Sequence, residues 1–215
     1  MMIEPHAQRS RKVVRRTTHR VVGRFPSLKS SRVVHWESQL ERDMIRLLEF
    51  DPAVLSYREQ PEPLTYFESG KQRKYTPDFI AQMTSGVTVF EVKPYEQSII
   101  SPLKERLVAF REHYAVQGID FLVMTEREIR KEPRLSNITK LLRYQREIVS
   151  PASKQVIIDL LDSGVRTLDG LFEHLSEHGV PFTHAYALIA QGSLRIDIDQ
   201  PIDNEDAPVC LRRAS

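Results

Sequence analysis

The stretch from Tyr75 to Pro94 constrains this chain more than any other. Tyr75-Thr76-Pro77-Asp78-Phe79-Ile80 leads into an extended segment, Gly86 turns the chain, and Val87 to Lys93 returns. Alternate residues of a strand share a face, so Val87, Val89, Glu91 and Lys93 lie on one side and Thr88, Phe90 and Val92 on the other. A two-residue turn at Ser85-Gly86 pairs Thr84 with Val87 and Asp78 with Lys93. Glu91 is then the diagonal neighbour of Asp78 on the same face. A slip of one residue would carry Asp78 to the opposite face. Two acids and a lysine converging on adjacent strands read as half of a site.

The preceding segment supplies a further acid. From His35 to Phe50, Leu40, Met44, Leu47 and Leu48 recur at helical spacing. Arg42, Asp43, Arg46 and Glu49 fall outside the apolar arc, whereas Glu37 and Glu41 fall inside it. A carboxylate on a buried face is costly unless it is paired or binds a metal. The ligand reading is preferred for Glu41, the alternative being the last member of a capping box, Ser38-x-x-Glu41, if the helix starts at Ser38. Asp51-Pro52 ends the helix, and Val54 to Glu59 reads as a strand broken by Pro61 and Pro63. Leu64 to Phe67 and Lys74 to Met83 continue as a meander.

Downstream, Pro102 to Gln117 is amphipathic, Ile119 to Thr125 is a near-continuous apolar strand of the kind covered on both faces, and Ser136 to Val149 is helical. Thr125-Glu126-Arg127-Glu128 reads as a helix cap and first turn. The expectation is a mixed α/β domain over 35–149. Ser150-Pro151 marks a boundary, after which Ala152–Asp162, Thr167–His178 and Phe182–Gln191 read as helices. Leu194 to Asp199 and Val209 to Leu211 come next as a hairpin. Three helices and a hairpin is the order of a winged helix, here over 150–215. The third helix carries no Lys or Arg, which favours protein docking over DNA reading.

Charge is unevenly placed. Residues 1–34 hold nine Lys or Arg against one acid, while the remainder carries 22 basic and 28 acidic residues. The segment reads as a basic arm with Arg9, Arg11, Lys12, Arg15 and Arg16 as phosphate contacts. Arg73 and Lys74, just ahead of Asp78, are further candidates for DNA contact. The lone Cys210 makes no internal disulfide, no apolar run is long enough to span a membrane, and no secretory leader is expected. A cytoplasmic, DNA-associated protein fits these features. Histidines lack metal-ligand spacing, and no Gly-rich phosphate loop or nucleophile motif is present.

Pro77-Asp78, twelve residues, then Glu91-x-Lys93 suits phosphodiester hydrolysis. Mg²⁺ takes hard oxygen ligands and keeps several waters, so two or three carboxylates suffice. A lysine alongside orients water or stabilises charge at the phosphate. The same residues could instead be a solvated hairpin with an exposed ion pair.

Taken together, Ser38-Gln39-Leu40-Glu41-Arg42-Asp43, Leu47-Leu48-Glu49-Phe50-Asp51-Pro52, Glu59-Gln60-Pro61, Tyr75-Thr76-Pro77-Asp78-Phe79 and Glu91-Val92-Lys93-Pro94 resemble TnsA, the endonuclease subunit of heteromeric transposases. The resemblance covers about residues 35–130, and the compact length is similar to subunits of CRISPR-associated transposons. It implies an α/β restriction-endonuclease-like (PD-(D/E)xK) core with a C-terminal winged-helix-like domain. It implies Glu41, Asp78 and Glu91 as ligands of Mg²⁺, with Mn²⁺ as substitute, and Lys93 as the catalytic lysine. It implies cleavage of the 5′ strand at double-stranded transposon ends beside a TnsB-like DDE transposase. A TnsC-like AAA+ ATPase would dock on the C-terminal domain. The competing readings are a stand-alone restriction or repair endonuclease and a non-catalytic DNA-binding or adaptor subunit.

Overall fold

The computed structural model describes residues 22–68, 70–204 and 206–212. The chain divides into two compact units between Arg130 and Lys131.

The first unit is built on a mixed sheet. Strands β1 (Gly23–Phe25) and β2 (Val34–Trp36) form a hairpin ahead of helix α1 (Gln39–Phe50). Strand β3 (Val54–Glu59) comes next, then the ribbon β4 (Leu64–Glu68) and β5 (Lys71–Tyr75), then β6 (Phe79–Met83) and β7 (Gly86–Val92). A short helix α2 (Tyr95–Ser98) and α3 (Leu103–Ala115) lead to β8 (Asp120–Met124) and α4 (Glu126–Ile129). The main sheet has the order β3-β6-β7-β8, with β7 and β8 parallel and the other pairs antiparallel. On one face Phe79, Phe90 and Val92 pack with Met44, Ile45 and Leu48 of α1. On the other, Ile80 and Val89 pack with Leu107 and Phe110 of α3. Each such side chain contributes about 1.5–3 kcal/mol by leaving water.

The β6–β7 register differs from the expected one by two residues. Met83 faces Gly86 and Phe79 faces Phe90, so the turn is Thr84-Ser85 and Gly86 takes the positive φ of 140°. Because the shift is even, every side chain keeps its face, and continuing the register sets Asp78 directly across from Glu91 rather than diagonal to it.

Other expectations are corrected. The described part of the supposed arm, 22–34, is no arm. Gly23 sits against Trp36 so closely that a Cβ would lie 2.2 Å from its ring, and Val34 is fully buried. Helix α1 begins at Gln39, not near His35, because the Ser38 hydroxyl accepts from the Glu41 N–H and caps it. Asp43 and Glu49, assigned to its polar face, are buried beneath Arg130 and the β1–β2 hairpin. Strand β8 is an edge strand and its Leu122 is exposed, so the sheet is not covered on both faces there. The Thr125–Glu128 capping box forms as expected.

The second unit begins with α5 (Arg134–Leu141), which continues as a single 3₁₀ turn, η1 (Leu142–Tyr144). Helices α6 (Pro151–Asp162), α7 (Leu168–Glu177) and α8 (Thr183–Ala190) precede the antiparallel pair β9 (Leu194–Ile196) and β10 (Val209–Leu211). The boundary expected at Ser150 lies nearer Arg130, because α5 and η1 pack with the segment after β9 and with α8. Asn137 donates to the carbonyls of Ile198 and Gln200, and Tyr144 lies 5.3 Å from Tyr186. A fragment of residues 131–215 is therefore expected to melt cooperatively by circular dichroism, and one of 150–215 to melt lower or not cooperatively. Equal melting of the two would refute that boundary. Helix α8 is the core of this unit, with Ala185 through Ala190 all buried. Its lack of Lys and Arg is a consequence of burial and says nothing for a docking face.

Candidate active site

The ends of β6 and β7 and the start of α1 meet at a cleft of the first unit. Glu41, Asp78, Glu91 and Lys93 all line it, with Tyr75, Lys74 and Arg106 on its walls. The backbone fixes the central pair. Asp78 Oδ2 accepts from the Val92 N–H at 2.8 Å, and the Asp78 carbonyl accepts from the Gln60 N–H at 2.9 Å. Lys93 is held as β7 ends, its own N–H bonding the Met124 carbonyl at 3.1 Å.

Lys93 Nζ stands 2.6 Å from Glu91 Oε1 and 3.5 Å from Asp78 Oδ2. Burial works against its charge, but the carboxylates of Asp78 and Glu91 outweigh that and raise its pKa. The Tyr75 hydroxyl donates to Glu91 Oε2. Glu91 is 2 % exposed, and burial first, then the charge of Asp78, pushes its pKa up, with Lys93 and Tyr75 pulling the other way. Acids crowded in this way favour a cation among them.

Glu41 takes the capping role open in the sequence and also stands at the cleft. Its Oε1 accepts from the Ser38 hydroxyl at 2.9 Å and its Oε2 from the Glu37 N–H at 2.8 Å, so it braces the helix start. It also faces the cleft, and burial followed by the charge of Asp78 pushes its pKa up to about 6. A raised carboxyl pKa means that the folded state binds more protons than the unfolded one, so stability falls as pH rises through that window. Glu41→Gln keeps the cap and removes the charge. In chelator it is expected to match wild type below about pH 4.5 and to exceed it by about 1–2 kcal/mol above pH 7. Denaturant melts across pH measure this, and a destabilised Glu41→Gln at pH 8 would contradict it.

The donor set consists of hard carboxylate oxygens and fits Mg²⁺ or Mn²⁺. Among the described residues, no three His, Cys, Asp or Glu side chains stand close enough to enclose an ion as they are. Between Asp78 and Glu91 the positive charge is the Lys93 ammonium.

Of the other sequence candidates, Lys74 lines the cleft, while Arg73 is exposed and pairs at 3.9 Å with Glu68. Arg9, Arg11, Lys12, Arg15 and Arg16 lie outside the described residues. Sequence reasoning placed Tyr75 and Gln60 in motifs but gave neither a role. Tyr75 opens the string that carries Pro77-Asp78, and only the fold turns its hydroxyl to Glu91. Gln60 adopts a left-handed φ of 47°, and its side-chain amide donates to Glu37 at 3.3 Å. Its place between Glu59 and Pro61 was the available signal.

A mixed sheet between helices, with acids and a lysine gathered at the ends of neighbouring strands, is consistent with a restriction-endonuclease-like domain. The family comparison narrows this class. Residues 51–126 match the family model for the TnsA-like endonuclease N terminal, which supports a nuclease domain of the TnsA type over that stretch. Asp78, Glu91 and Lys93 fall within the matched stretch, and Glu41 precedes it. No curated protein matches the chain. Among the described residues no helix is long and apolar enough to cross a membrane.

Proposed function

We propose that the chain is a Mg²⁺-dependent DNA endonuclease acting as a transposase subunit, which hydrolyses the 5′, non-transferred strand at transposon ends. One observation carries this reading. Four chemistry-bearing residues, from the start of α1 and the ends of β6 and β7, line one cleft in and beside a stretch that matches TnsA-like endonucleases.

In this reading Glu41, Asp78 and Glu91 hold the ion, with Mn²⁺ as a substitute. Bound there, the ion lowers the pKa of a water and offsets charge on the phosphate. Asp78 is fixed by backbone bonds, so it sets the position of the reacting phosphate against the protein. Lys93, a protonated donor, leaves its carboxylate partners to stabilise charge on a phosphate oxygen or to orient the attacking water. Tyr75 keeps Glu91 oriented through its hydroxyl. Lys74 and Arg106 on the walls hold flanking phosphates.

The partners in this reading are double-stranded transposon ends, a TnsB-like DDE transposase and a TnsC-like AAA+ ATPase. The C-terminal unit, winged-helix-like in its order of elements, takes the last of these. Its half-exposed Phe182, against Phe172, gives that unit an apolar patch. Such a protein works in the bacterial cytoplasm on DNA.

The test is a cleavage assay on labelled transposon-end duplex with Mg²⁺, with and without the partner proteins. Cutting of the 5′ strand that depends on both metal and partners is expected. Robust cutting without partners would favour a stand-alone nuclease, and no cutting in any combination would favour an adaptor.

A further inference from the structure

The β4–β5 ribbon has two unlike faces. Its register sets Thr65 opposite Lys74 and Phe67 opposite Gln72, so these four share one face, while Tyr66, Glu68, Arg73 and Tyr75 share the other. The inner face is packed. Tyr75 stacks on Phe110 at 4.0 Å, Tyr66 meets the same ring edge-on at 5.1 Å, and Glu68 lies 3.7 Å from Arg106. All four residues of the outer face are exposed, and Phe67 is 76 % so.

We propose that this outer face lies in a groove of duplex DNA next to the cleft. Lys74 would contact a backbone phosphate, Gln72 a base edge, and Phe67 would press against the bases. The inference rests on the nuclease reading above and adds how the duplex outside the cleft is held and read. Three features favour DNA as the occupant. First, the face is continuous with the cleft, because Lys74 lines both. Second, the one charged residue of this face, Lys74, is an exposed cation, and the exposed Lys71 and Arg73 of the opposite face add positive charge along the same strand, which suits a polyanion better than an apolar protein partner. Third, a two-stranded ribbon is narrow enough for the major groove, and the residue types fit. A glutamine amide matches the donor and acceptor of an adenine edge, and an exposed phenylalanine is a stacking or wedging group. Along the strand Gln72 stands about 7 Å beyond Lys74, the rise of about two base pairs. The ribbon base is anchored on Phe110, so its position relative to Asp78 and Glu91 is set by packing.

The experiment uses the full chain in chelator, so that nothing is cut. It measures fluorescence-anisotropy titrations of a mixed-sequence duplex at several salt concentrations, and then selection from a randomised duplex pool. Phe67→Ala is expected to weaken binding about tenfold with an unchanged salt slope. Lys74→Ala should lower that slope by about one. Gln72→Ala should relax the base preference at one position of the selected duplexes. Because Phe67 and Gln72 are exposed, melting temperatures should stay at the wild-type value, which separates these effects from misfolding. Wild-type affinity and selection by both Phe67→Ala and Gln72→Ala would overturn the proposal. If Asp78→Ala still abolishes cutting in that case, the nuclease reading survives without the ribbon. A wild-type chain that binds no duplex overturns the ribbon proposal and leaves the nuclease reading to the cleavage assay with partners, whereas weakened binding by Phe67→Ala in a chain that never cuts supports the ribbon alone.

Discussion

Asp78→Ala is expected to lower Mg²⁺-supported strand cleavage by about a thousandfold or more while leaving the chain folded. Asp78 is the acid that the others are arranged around. Its charge raises the pKa of both Glu41 and Glu91 and helps to hold Lys93 protonated. Removing it takes away a proposed ligand and the partner of the Val92 N–H together. The fold cost is small, about 1 kcal/mol for one partly buried hydrogen bond, because the sheet register is set by β6 and β7 themselves. Single-turnover rates on labelled duplex, paired with thermal melts, separate the two effects. A rate within tenfold of wild type would remove Asp78 from the site.

Glu49→Ala is expected to cost about 3–4 kcal/mol of stability. Glu49 is 1 % exposed and accepts from the Ser27 hydroxyl at 2.6 Å, the Leu28 N–H at 2.6 Å and the Tyr57 hydroxyl at 2.8 Å. The alanine removes the acceptor these donors share, leaves the buried Tyr57 hydroxyl without it, and loosens the turn between β1 and β2 from α1. Chemical denaturation of the variant measures the loss, and a change under 1 kcal/mol would show that the hairpin is held by its apolar contacts instead. The residue is far from the cleft in role. It buttresses the same helix whose first turn presents Glu41.

Residues whose chemistry is carried by strand periodicity were legible in the sequence. Asp78, Glu91 and Lys93 share a face under any even register, so the two-residue shift of the turn did not disturb their convergence. Glu41 was legible as an acid on an apolar arc, and its capping role was legible from Ser38. The hidden features depend on which element covers a surface. Asp43 and Glu49 looked solvated because periodicity records only the stronger apolar side, and nothing local foretells Arg130 or a preceding hairpin closing over the other. The same blindness misread α8, whose uncharged surface belongs to a core rather than to a partner. Residues 22–34 looked like an arm because a three-residue strand leaves too little pattern to see.

The central claim is that Glu41, Asp78, Glu91 and Lys93 form a divalent-metal centre for phosphodiester cleavage. Anomalous diffraction from crystals grown with Mn²⁺ tests it most directly. The account predicts a manganese peak bonded to Asp78 and Glu91 carboxylate oxygens, absent in Asp78→Ala crystals, with Lys93 Nζ moved off Glu91. A chain that cuts DNA in Mn²⁺ but whose crystals place the ion elsewhere would contradict it.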